Sequence, residues 1–297
     1  MKNLAFSFLL AFGLCSCGSS TSEAFAQEHT LNYGGATFTC DQSQLDHPDK
    51  VSARSLTTPA FEKLDASVGV EVLYTQGSGR QAQVKVTATK EYAEYLVVRE
   101  KNGTFTVAWD QDRMRRDLGN KKFKVAARVE VTAPAFHRLE AEAGSKVLFT
   151  NGLTVRGEFE ADLSSGASLT AGRIKATEVD VETSSGASIK SSTVECKQYK
   201  ASTSAGSTIR IKGITATDEV ELDASSGSVM EVEFTESRGH FKADVSSGAS
   251  IEVSGTASGD VRLDASSGGV IRASSLSVHS YRSDVSSGGS VRKPKIF

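Results

Sequence analysis

Apolar and polar positions recur in a fixed order about every twenty residues in the second half of the chain. Each repeat has an acidic residue, then Ser-Ser-Gly or a close variant, then an apolar residue three places after the glycine. The recurring glycines are Gly144, Gly166, Gly186, Gly206, Gly227, Gly248, Gly268 and Gly288. Successive glycines are 20 to 22 residues apart. Such regularity is typical of a solenoid that adds one rung per repeat.

Apolar side chains alternate with polar ones inside each repeat, which predicts strands because successive side chains of a strand point to opposite faces. Seven places before the last seven glycines stand Phe159, Val179, Tyr199, Val220, Phe241, Val261 and Tyr281. Three places after them stand Leu169, Ile189, Ile209, Met230, Ile251, Ile271 and Val291. Eight places after them stand Ile174, Val194, Ile214, Thr256 and Leu276, with Phe234 one place early. We expect all three sets to point inward.

Three apolar segments per repeat predict three short strands per rung. The fold prediction is therefore all-β: a single-stranded parallel β-helix, or three-sided β-solenoid, with about 20 residues per rung. A small residue follows each repeat glycine, which predicts a tight corner with positive φ at the glycine.

The first half of the chain contains the same strand-turn-strand unit once more. The sequence from Pro59 to Val72 aligns with that from Pro134 to Val147 at an offset of 75 residues. Between them, residues 84–88 and 104–109 alternate like strands, Glu91 to Val98 predicts a short helix or a bend, and Asp110 to Lys124 predicts a charged loop. Residues 51–135 are thus predicted to be an irregular β-rich region that caps the regular β-solenoid of residues 136–297.

The N-terminal segment has the pattern of an export signal. Lys2 precedes an apolar run that ends in Leu-Cys-Ser-Cys, and this run is too short to span a bilayer as a mature helix. The ending resembles a bacterial lipobox, so residues 1–17 are predicted to be a lipoprotein signal peptide and Cys17 the lipidation site. Residues 18–50 then form a tether and N-terminal segment. The competing prediction is cleavage after Ala26 without lipid.

Four phrases of the first half carry a family resemblance: Pro-Ala-Phe-Glu-Lys-Leu-Asp-Ala at 59–66, Val-Glu-Val-Leu-Tyr-Thr-Gln-Gly at 70–77, Asn-Gly-Thr-Phe at 102–105 and Val-Glu-Val-Thr-Ala-Pro at 129–134. Together with the later Ser-Ser-Gly repeats, they resemble the putative auto-transporter adhesin head GIN domain family over roughly residues 50 to 292. The resemblance implies a β-solenoid on an exported, often lipidated protein, and it supplies no catalytic residues.

The net charge and the cysteines limit which partners and which disulfide are expected. A net charge of −2 gives no reason to expect a nucleic acid partner. Lipidation would make the membrane a partner and predicts an exported protein anchored in the cell envelope, with the outer membrane as the expected site. After processing, Cys40 and Cys196 remain, and they could form a disulfide in an exported protein. The repeat instead predicts that Cys196 points inward as an unpaired, buried thiol.

Acidic residues form an outward column four places before the corner glycine. Its members are Asp162, Glu182, Asp223, Asp244, Asp264 and Asp284, with Ser202 in the third rung. Stacked carboxylates repel one another, so corner serines, backbone N–H groups or the nearby Lys242, Arg262 and Arg282 are expected to offset them. A sharper alternative is calcium held by Glu160, Asp162, Asp180 and Glu182. The sequence lacks the glycine-rich nonapeptide of calcium-binding β-rolls, so no metal site is predicted.

No arrangement of residues predicts catalysis. His137, His240 and His279 are scattered without metal-ligand spacing, and Ser-Ser-Gly recurs too often to mark one nucleophile. The chain is therefore predicted to be a non-enzymatic envelope lipoprotein without cofactors, an adhesin or binding scaffold for a polysaccharide or an envelope or surface protein. The alternatives are a polysaccharide-active β-helix lyase or glycosidase, whose best location is the irregular stretch from Glu231 to His240, and a structural or stress-response component of the envelope.

Overall fold

The structure, a computed structural model, describes residues 28–119 and 122–297. It is a β-solenoid of about eight turns, as the repeat predicts. The strands of the first half are β1 (His29–Tyr33), β2 (Ala36–Cys40), β3 (Val51–Pro59), β4 (Lys63–Ala66), β5 (Glu71–Gln76), β6 (Gln81–Thr89), β7 (Leu96–Lys101), β8 (Thr104–Trp109), β9 (Lys122–Val125) and β10 (Ala127–Ala133).

The regular array has sixteen strands, all of which pair in parallel. They are β11 (Arg138–Ala141), β12 (Lys146–Phe149), β13 (Leu153–Thr154), β14 (Glu158–Leu163), β15 (Ser168–Lys175), β16 (Glu178–Thr183), β17 (Ser188–Thr203), β18 (Thr208–Ala224), β19 (Val229–Ser237), β20 (His240–Val245), β21 (Ser250–Ala257), β22 (Val261–Ala265), β23 (Val270–Val278), β24 (Tyr281–Val285), β25 (Ser290–Arg292) and β26 (Lys295–Ile296).

The corner at each repeat glycine is a pair of residues in the left-handed region. At one corner Ser165 has φ 50° and Gly166 has φ 76°. The Gly166 N–H donates to the Ser185 carbonyl of the next rung at 3.0 Å, so the ladder of backbone hydrogen bonds continues through the corner. Positive φ at the glycine agrees with the sequence prediction. That the residue before the glycine, usually serine, shares this conformation was not predicted.

The predicted inward columns form the core. Ile189, Ile209 and Ile251 are at most 1% exposed. The prediction fails at Thr256, which is exposed because the rung bulges and Gly255 takes its place opposite Leu276. A side chain on Gly255 would collide with the Phe234 carbonyl, so only glycine fits.

Three of the buried hydroxyl groups, those of Thr183, Thr203 and Ser207, form a cluster inside the solenoid. The Thr183 hydroxyl donates to the Thr203 hydroxyl at 2.9 Å, and Thr203 and Ser207 share a bond of 2.8 Å. Ser207 donates in turn to the Thr183 carbonyl at 3.0 Å. All three residues are buried, and these bonds offset the cost of burying their polar atoms.

The first rung begins before the regular array. Strand β4 pairs in parallel with β11, and β5 pairs with β12, so residues 75 apart lie side by side. The long insertion between these two rungs extends the sheets at the N-terminal end. On one face it adds β10 and β6, and the earlier strand β3 pairs with β6. On another face it adds β8 and β7. The predicted division into residues 18–50, 51–135 and 136–297 stays a prediction.

Two local predictions in this insertion need correction or refinement. The predicted loop from Asp110 to Lys124 contains helix α1 (Gln111–Leu118). The Asp110 carboxylate caps it by accepting from the Arg113 N–H at 3.0 Å, and Met114 is buried beneath it. The predicted short helix or bend from Glu91 to Val98 is a single 3₁₀ turn, Ala93–Tyr95, followed by β7. Two further 3₁₀ turns, Gln42–Asp46 and Pro48–Lys50, precede β3.

The remaining segment, β1 and β2, is an antiparallel hairpin that pairs with β9 and packs on the first two corners. Cys40 at its end is buried and Cys196 is half-buried, and neither forms a disulfide. Cys196 is unpaired, as predicted, but it is only half-buried and not fully buried as the repeat predicts. Cys17, Ala26 and the predicted signal peptide lie outside the described residues. Within residues 28–119 and 122–297 no helix is both long and apolar enough to cross a bilayer.

Candidate binding groove

A groove of about 970 Å³ runs along the face formed by the strand before each corner. Its floor carries an acidic column and, beside it, a row of serines that ends each strand. The acidic column consists of Asp65, Glu140, Asp162, Glu182, Asp223, Asp244, Asp264 and Asp284. The serine row consists of Ser164, Ser184, Ser204, Ser225, Ser246, Ser266 and Ser286. The sequence predicted the acidic column from Asp162 onward but missed Asp65 and Glu140.

The column forms because the rungs stack in register. Asp162 lies beside Glu182, and Asp223 beside Asp244, each pair on adjacent parallel strands. Neighbouring strands are about 4.8 Å apart, so each carboxylate has like charges above and below it. Ser202 interrupts the column between Glu182 and Asp223.

Lysine and arginine side chains offset much of this repulsion. Arg138 contacts three carboxylates, those of Glu140 at 3.0 Å and of Glu160 and Asp162 at 2.6 Å each. Lys242 lies between two rungs and contacts Glu221 at 2.9 Å. The same ammonium group contacts Asp244 at 2.6 Å.

The sequence analysis identified only some of the groups that offset this repulsion. Lys242 and Arg262 pair with acids of the column, as expected, but in the described chain Arg282 forms no ion pair. No corner serine in residues 28–119 and 122–297 donates its hydroxyl hydrogen to the column. Lysine and arginine side chains, and not the corner serines, therefore offset the repulsion between the stacked carboxylates.

The pKa values along the groove differ with the local balance of burial and charge. Burial alone would raise the pKa of Glu140, but hydrogen bonds from Lys63 and Arg138 outweigh it and hold the pKa below its usual value. Burial raises the pKa of Asp223, and the charges of Glu221 and Asp244 raise it further. Burial and the charge of Glu182 do the same for Asp180. The central groove therefore holds carboxylates that lack full compensation.

The calcium alternative does not match the geometry at the predicted residues. The Arg138 guanidinium already bonds Glu160 and Asp162 there. In the described part of the chain, the three acids whose oxygens converge within 4.8 Å are instead Glu221, Asp223 and Asp244. The Lys242 ammonium contacts two of them, so a cationic group of the protein itself occupies this place.

The histidines and cysteines do not gather around the groove. His137, His240 and His279 are exposed. Burial raises the pKa of both the Cys40 and the Cys196 thiol to about 12, so neither is a ready thiolate nucleophile. In the stretch from Glu231 to His240, Arg238 pairs with Glu236 and the strand shifts register, without a converging set of acids among the described residues.

The N-terminal hairpin closes one end of the groove. The Tyr33 hydroxyl donates to the Glu142 carboxylate, which lines the groove two places beyond Glu140. This hydrogen bond, together with burial, raises the pKa of Tyr33 to about 12. Further along, the lining has no aromatic side chain, because the solenoid aromatics such as Phe159 and Tyr199 point inward.

Solved structures with the same architecture come from two Parabacteroides species. A putative adhesin from Parabacteroides merdae ATCC 43184 is 14% identical, with a TM-score of 0.69 over 83% of this chain and 98% of that one. A putative adhesin from Parabacteroides distasonis ATCC 8503 is 14% identical, with a TM-score of 0.68 over 82% and 96%. A putative lipid binding protein from the latter organism is 12% identical, with a TM-score of 0.66 over 83% and 98%. At these identities the likeness shows the fold.

Family membership rests on the sequence. No curated protein matches the chain. A family model described as "putative auto-transporter adhesin, head GIN domain" matches residues 60–257, which is more than half of the chain and includes the first rung, the insertion and most of the regular array. The chain belongs to this adhesin head family.

Proposed function

We propose that this protein is a lipid-anchored adhesin that holds an extended, positively charged segment of a surface protein along its acidic groove. Membership of the adhesin family supports a binding role and an exported or surface location. The observation that carries the ligand class is the excess of acids in the groove: among the described residues its lining has ten carboxylates, and four cations, Arg138, Lys63, Lys242 and Arg262, pair with them.

The shape of the groove favours an extended ligand. Its acids and serines repeat once per rung, which presents equivalent hydrogen-bond acceptors and hydroxyl groups at about 4.8 Å intervals. A chain-like ligand with lysine or arginine side chains can meet several of them at once. A neutral polysaccharide is a weaker fit, because sugar rings usually pack on exposed aromatic side chains and the groove lining has none.

The anchoring part of the proposal rests on Cys17 and the lipobox-like ending of the signal segment. A tether of roughly ten residues would join Cys17 to β1, which packs on the first corners of the solenoid. The free end of the groove would then face away from the membrane, towards a partner. Two acyl chains suffice for stable anchoring without a spanning helix.

Binding of an oligolysine peptide at low ionic strength tests the groove. The double variant Glu182→Gln/Asp223→Asn removes two carboxylates that form no ion pair in the described chain, so the fold should survive. We expect at least tenfold weaker binding for this variant. The matched control, Glu233→Gln/Glu252→Gln, removes two exposed carboxylates outside the groove and should bind as the wild type does. Equal losses in both variants, or binding of glycans on an array without any binding of oligolysine, would refute the ligand class.

Protease treatment of intact cells tests the location. We expect the wild-type protein to remain with the membrane fraction and to be cleaved on intact cells, and the Cys17→Ala variant to leave the membrane fraction. Retention of the variant in the membrane would contradict lipidation. Protection of the wild type from protease would contradict adhesion, whatever the peptide-binding result.

A further inference from the structure

The last rung exposes positions that are buried in the six rungs before it. Strand β24 pairs with β22 on one side only. Val261, Leu263 and Ala265 on β22 are at most 4% exposed, whereas their neighbours on β24 are half-buried Tyr281 and exposed Ser283 and Val285. The exposed large apolar residues of the described chain, Val285, Ile296 and Phe297, all lie at this end. An open strand edge beside exposed apolar side chains is a template for another strand.

The backbone of β24 shows which groups are free. The Ser286 N–H donates back to the Ala265 carbonyl at 3.0 Å. In the equivalent strand two rungs earlier, the Phe241 N–H points the other way and donates to Asp260 of the following rung at 2.8 Å. Because these directions alternate along a strand, the N–H and C=O groups of Tyr281, Ser283 and Val285 point to the open side.

The sequence of β24 is complementary to itself when one copy is reversed. In an antiparallel pair centred on Ser283, Arg282 lies opposite Asp284 of the other copy, and Tyr281 lies opposite Val285. The free backbone groups make Ser283 a hydrogen-bonded pair with its counterpart, so Arg282 and Asp284 fall in the closer, non-hydrogen-bonded positions. Opposite charges at such positions stabilise an antiparallel pair.

Arg282 and Asp284 are also available for this pairing. Four other rungs have a cation two places before an acid. In one of them Lys63 contacts Glu140 of the next rung instead of Asp65, and in the other three the two side chains bond within the strand. The distances are 3.0 Å for Arg138 and Glu140, 2.6 Å for Lys242 and Asp244 and 2.6 Å for Arg262 and Asp264. In the part of the chain that the structure describes, Arg282 and Asp284 form no ion pair.

From these observations we infer that two copies of this chain pair end to end through antiparallel β24 strands, with Arg282 of each copy bound to Asp284 of the other. The exposed cations Arg292, Lys293 and Lys295 lie on the other two faces of the same end and would repel their counterparts. The interface is therefore confined to β24, where Tyr281 and Val285 of the two copies cover the end of the core.

Sedimentation of the full chain in a mild detergent, over a range of protein concentrations, tests this pairing. We expect a monomer–dimer equilibrium for the wild type. The variants Arg282→Asp and Asp284→Arg place like charges opposite each other and should each weaken the dimer at least tenfold. The exchanged variant Arg282→Asp/Asp284→Arg is again complementary to itself and should restore the wild-type dissociation constant within about threefold.

Two results would overturn the inference. One is a wild type that stays monomeric at all concentrations. The other is a dimer whose dissociation constant is unchanged by the single reversals or is not restored by the exchange, since the contact would then lie elsewhere. Circular dichroism of all three variants checks their folding, and we expect no change because both side chains are exposed on the outermost strand.

Discussion

Val72 lies directly beside Val147 on adjacent parallel strands, although 75 residues separate them in the sequence. Both are buried, at 0% and 2% exposure. They belong to the first two rungs, and the insertion between them lies on the other side of the first rung, where its strands β10 and β8 pair with β5 and β4. The regular solenoid therefore joins a far-off segment of the chain by the same side-chain contacts that join neighbouring repeats.

This relationship predicts energetic coupling. Val72→Ala and Val147→Ala should each lower the free energy of unfolding by about 1 to 3 kcal/mol. Because the two side chains touch, their double variant should deviate from additivity by at least about 0.5 kcal/mol. Urea unfolding measures all three. The control cycle pairs Val72→Ala with Ile251→Ala, which lies several rungs away and should be additive. Additivity in both cycles would contradict the stacking of the first two rungs.

The left-handed corners predict the cost of replacing a repeat glycine. Gly227 has φ 71° and no atom within 4 Å of where a Cβ would lie, so an added methyl meets backbone strain without a collision. Gly227→Ala should therefore lower the free energy of unfolding by about 1–2 kcal/mol. The control Ser225→Ala keeps both backbone hydrogen bonds of its residue and should change stability by less than about 0.5 kcal/mol. A Gly227→Ala variant as stable as the wild type would show that the corner tolerates another conformation.

Stability should depend on pH with opposite sign at two carboxylates. The pKa of Asp223 is raised by burial and by the charges of Glu221 and Asp244, so its ionisation opposes folding. Its favourable contribution is present below the pKa of the unfolded chain and is lost as pH rises through the folded pKa. Asp223→Asn should thus raise the melting temperature at pH 7 by roughly 1–3 °C and leave it almost unchanged at pH 3.

Glu195 provides the comparison. Hydrogen bonds from Arg173 and Lys175 lower its pKa, so its contribution is present above the unfolded pKa and is lost as pH falls through the folded pKa. Glu195→Gln should lower the melting temperature at pH 7 and have less effect at pH 3. Calorimetric scans at the two pH values measure both variants, and shifts of the same sign would contradict this assignment.

The solenoid geometry predicts that one complete rung can be removed. Deletion of residues 187–206 joins Gly186 to Ser207, which keeps a small residue after the corner glycine. Thr183 then stands four residues before Ser207, as Thr203 does in the natural chain. We expect a folded, shorter rod with a single urea transition and a slightly lower m-value. Deletion of residues 187–196 removes half a rung and should abolish cooperative unfolding of the C-terminal array. Equal behaviour of both deletions would contradict the repeat length.

Much of this architecture could be predicted from the sequence because a strand's alternation and a rung's period are both local patterns. The columns through Ile189, Ile209 and Ile251 follow from them directly. Helix α1 was missed because its residues are mostly charged and its stability depends on the Asp110 cap and on burial of Met114 alone. The exposed Thr256 was missed because the bulge at Gly255 depends on close packing against Phe234 of the preceding rung.

The groove was harder to predict than the fold. Its acidic column continues into the two rungs that the long insertion separates. Glu140 stands four places before the repeat glycine Gly144 and Asp65 aligns with it at the offset of 75, so both were missed only because the column was read from Gly166 onward. Arg138 belongs to one of those early rungs, and its contacts with Glu160 and Asp162 exclude the calcium cluster that the carboxylates alone suggest. The corner conformation of Ser165 and its equivalents depends on the stack as a whole, since isolated serines have no strong preference for it.

The buried hydroxyl groups of Thr183, Thr203 and Ser207 bear on how such a molecule folds without error. The rungs of this stack are so similar that a rung paired with the wrong neighbour would still pack aliphatic side chains against aliphatic side chains. A displaced layer would separate Thr183 from the hydroxyl groups of Thr203 and Ser207, which bond each other within one rung, and would leave the Thr183 hydroxyl unsatisfied in a dry interior. The cost is about 1–3 kcal/mol for one such group. The trio thereby favours the correct order of layers at one place along the rod.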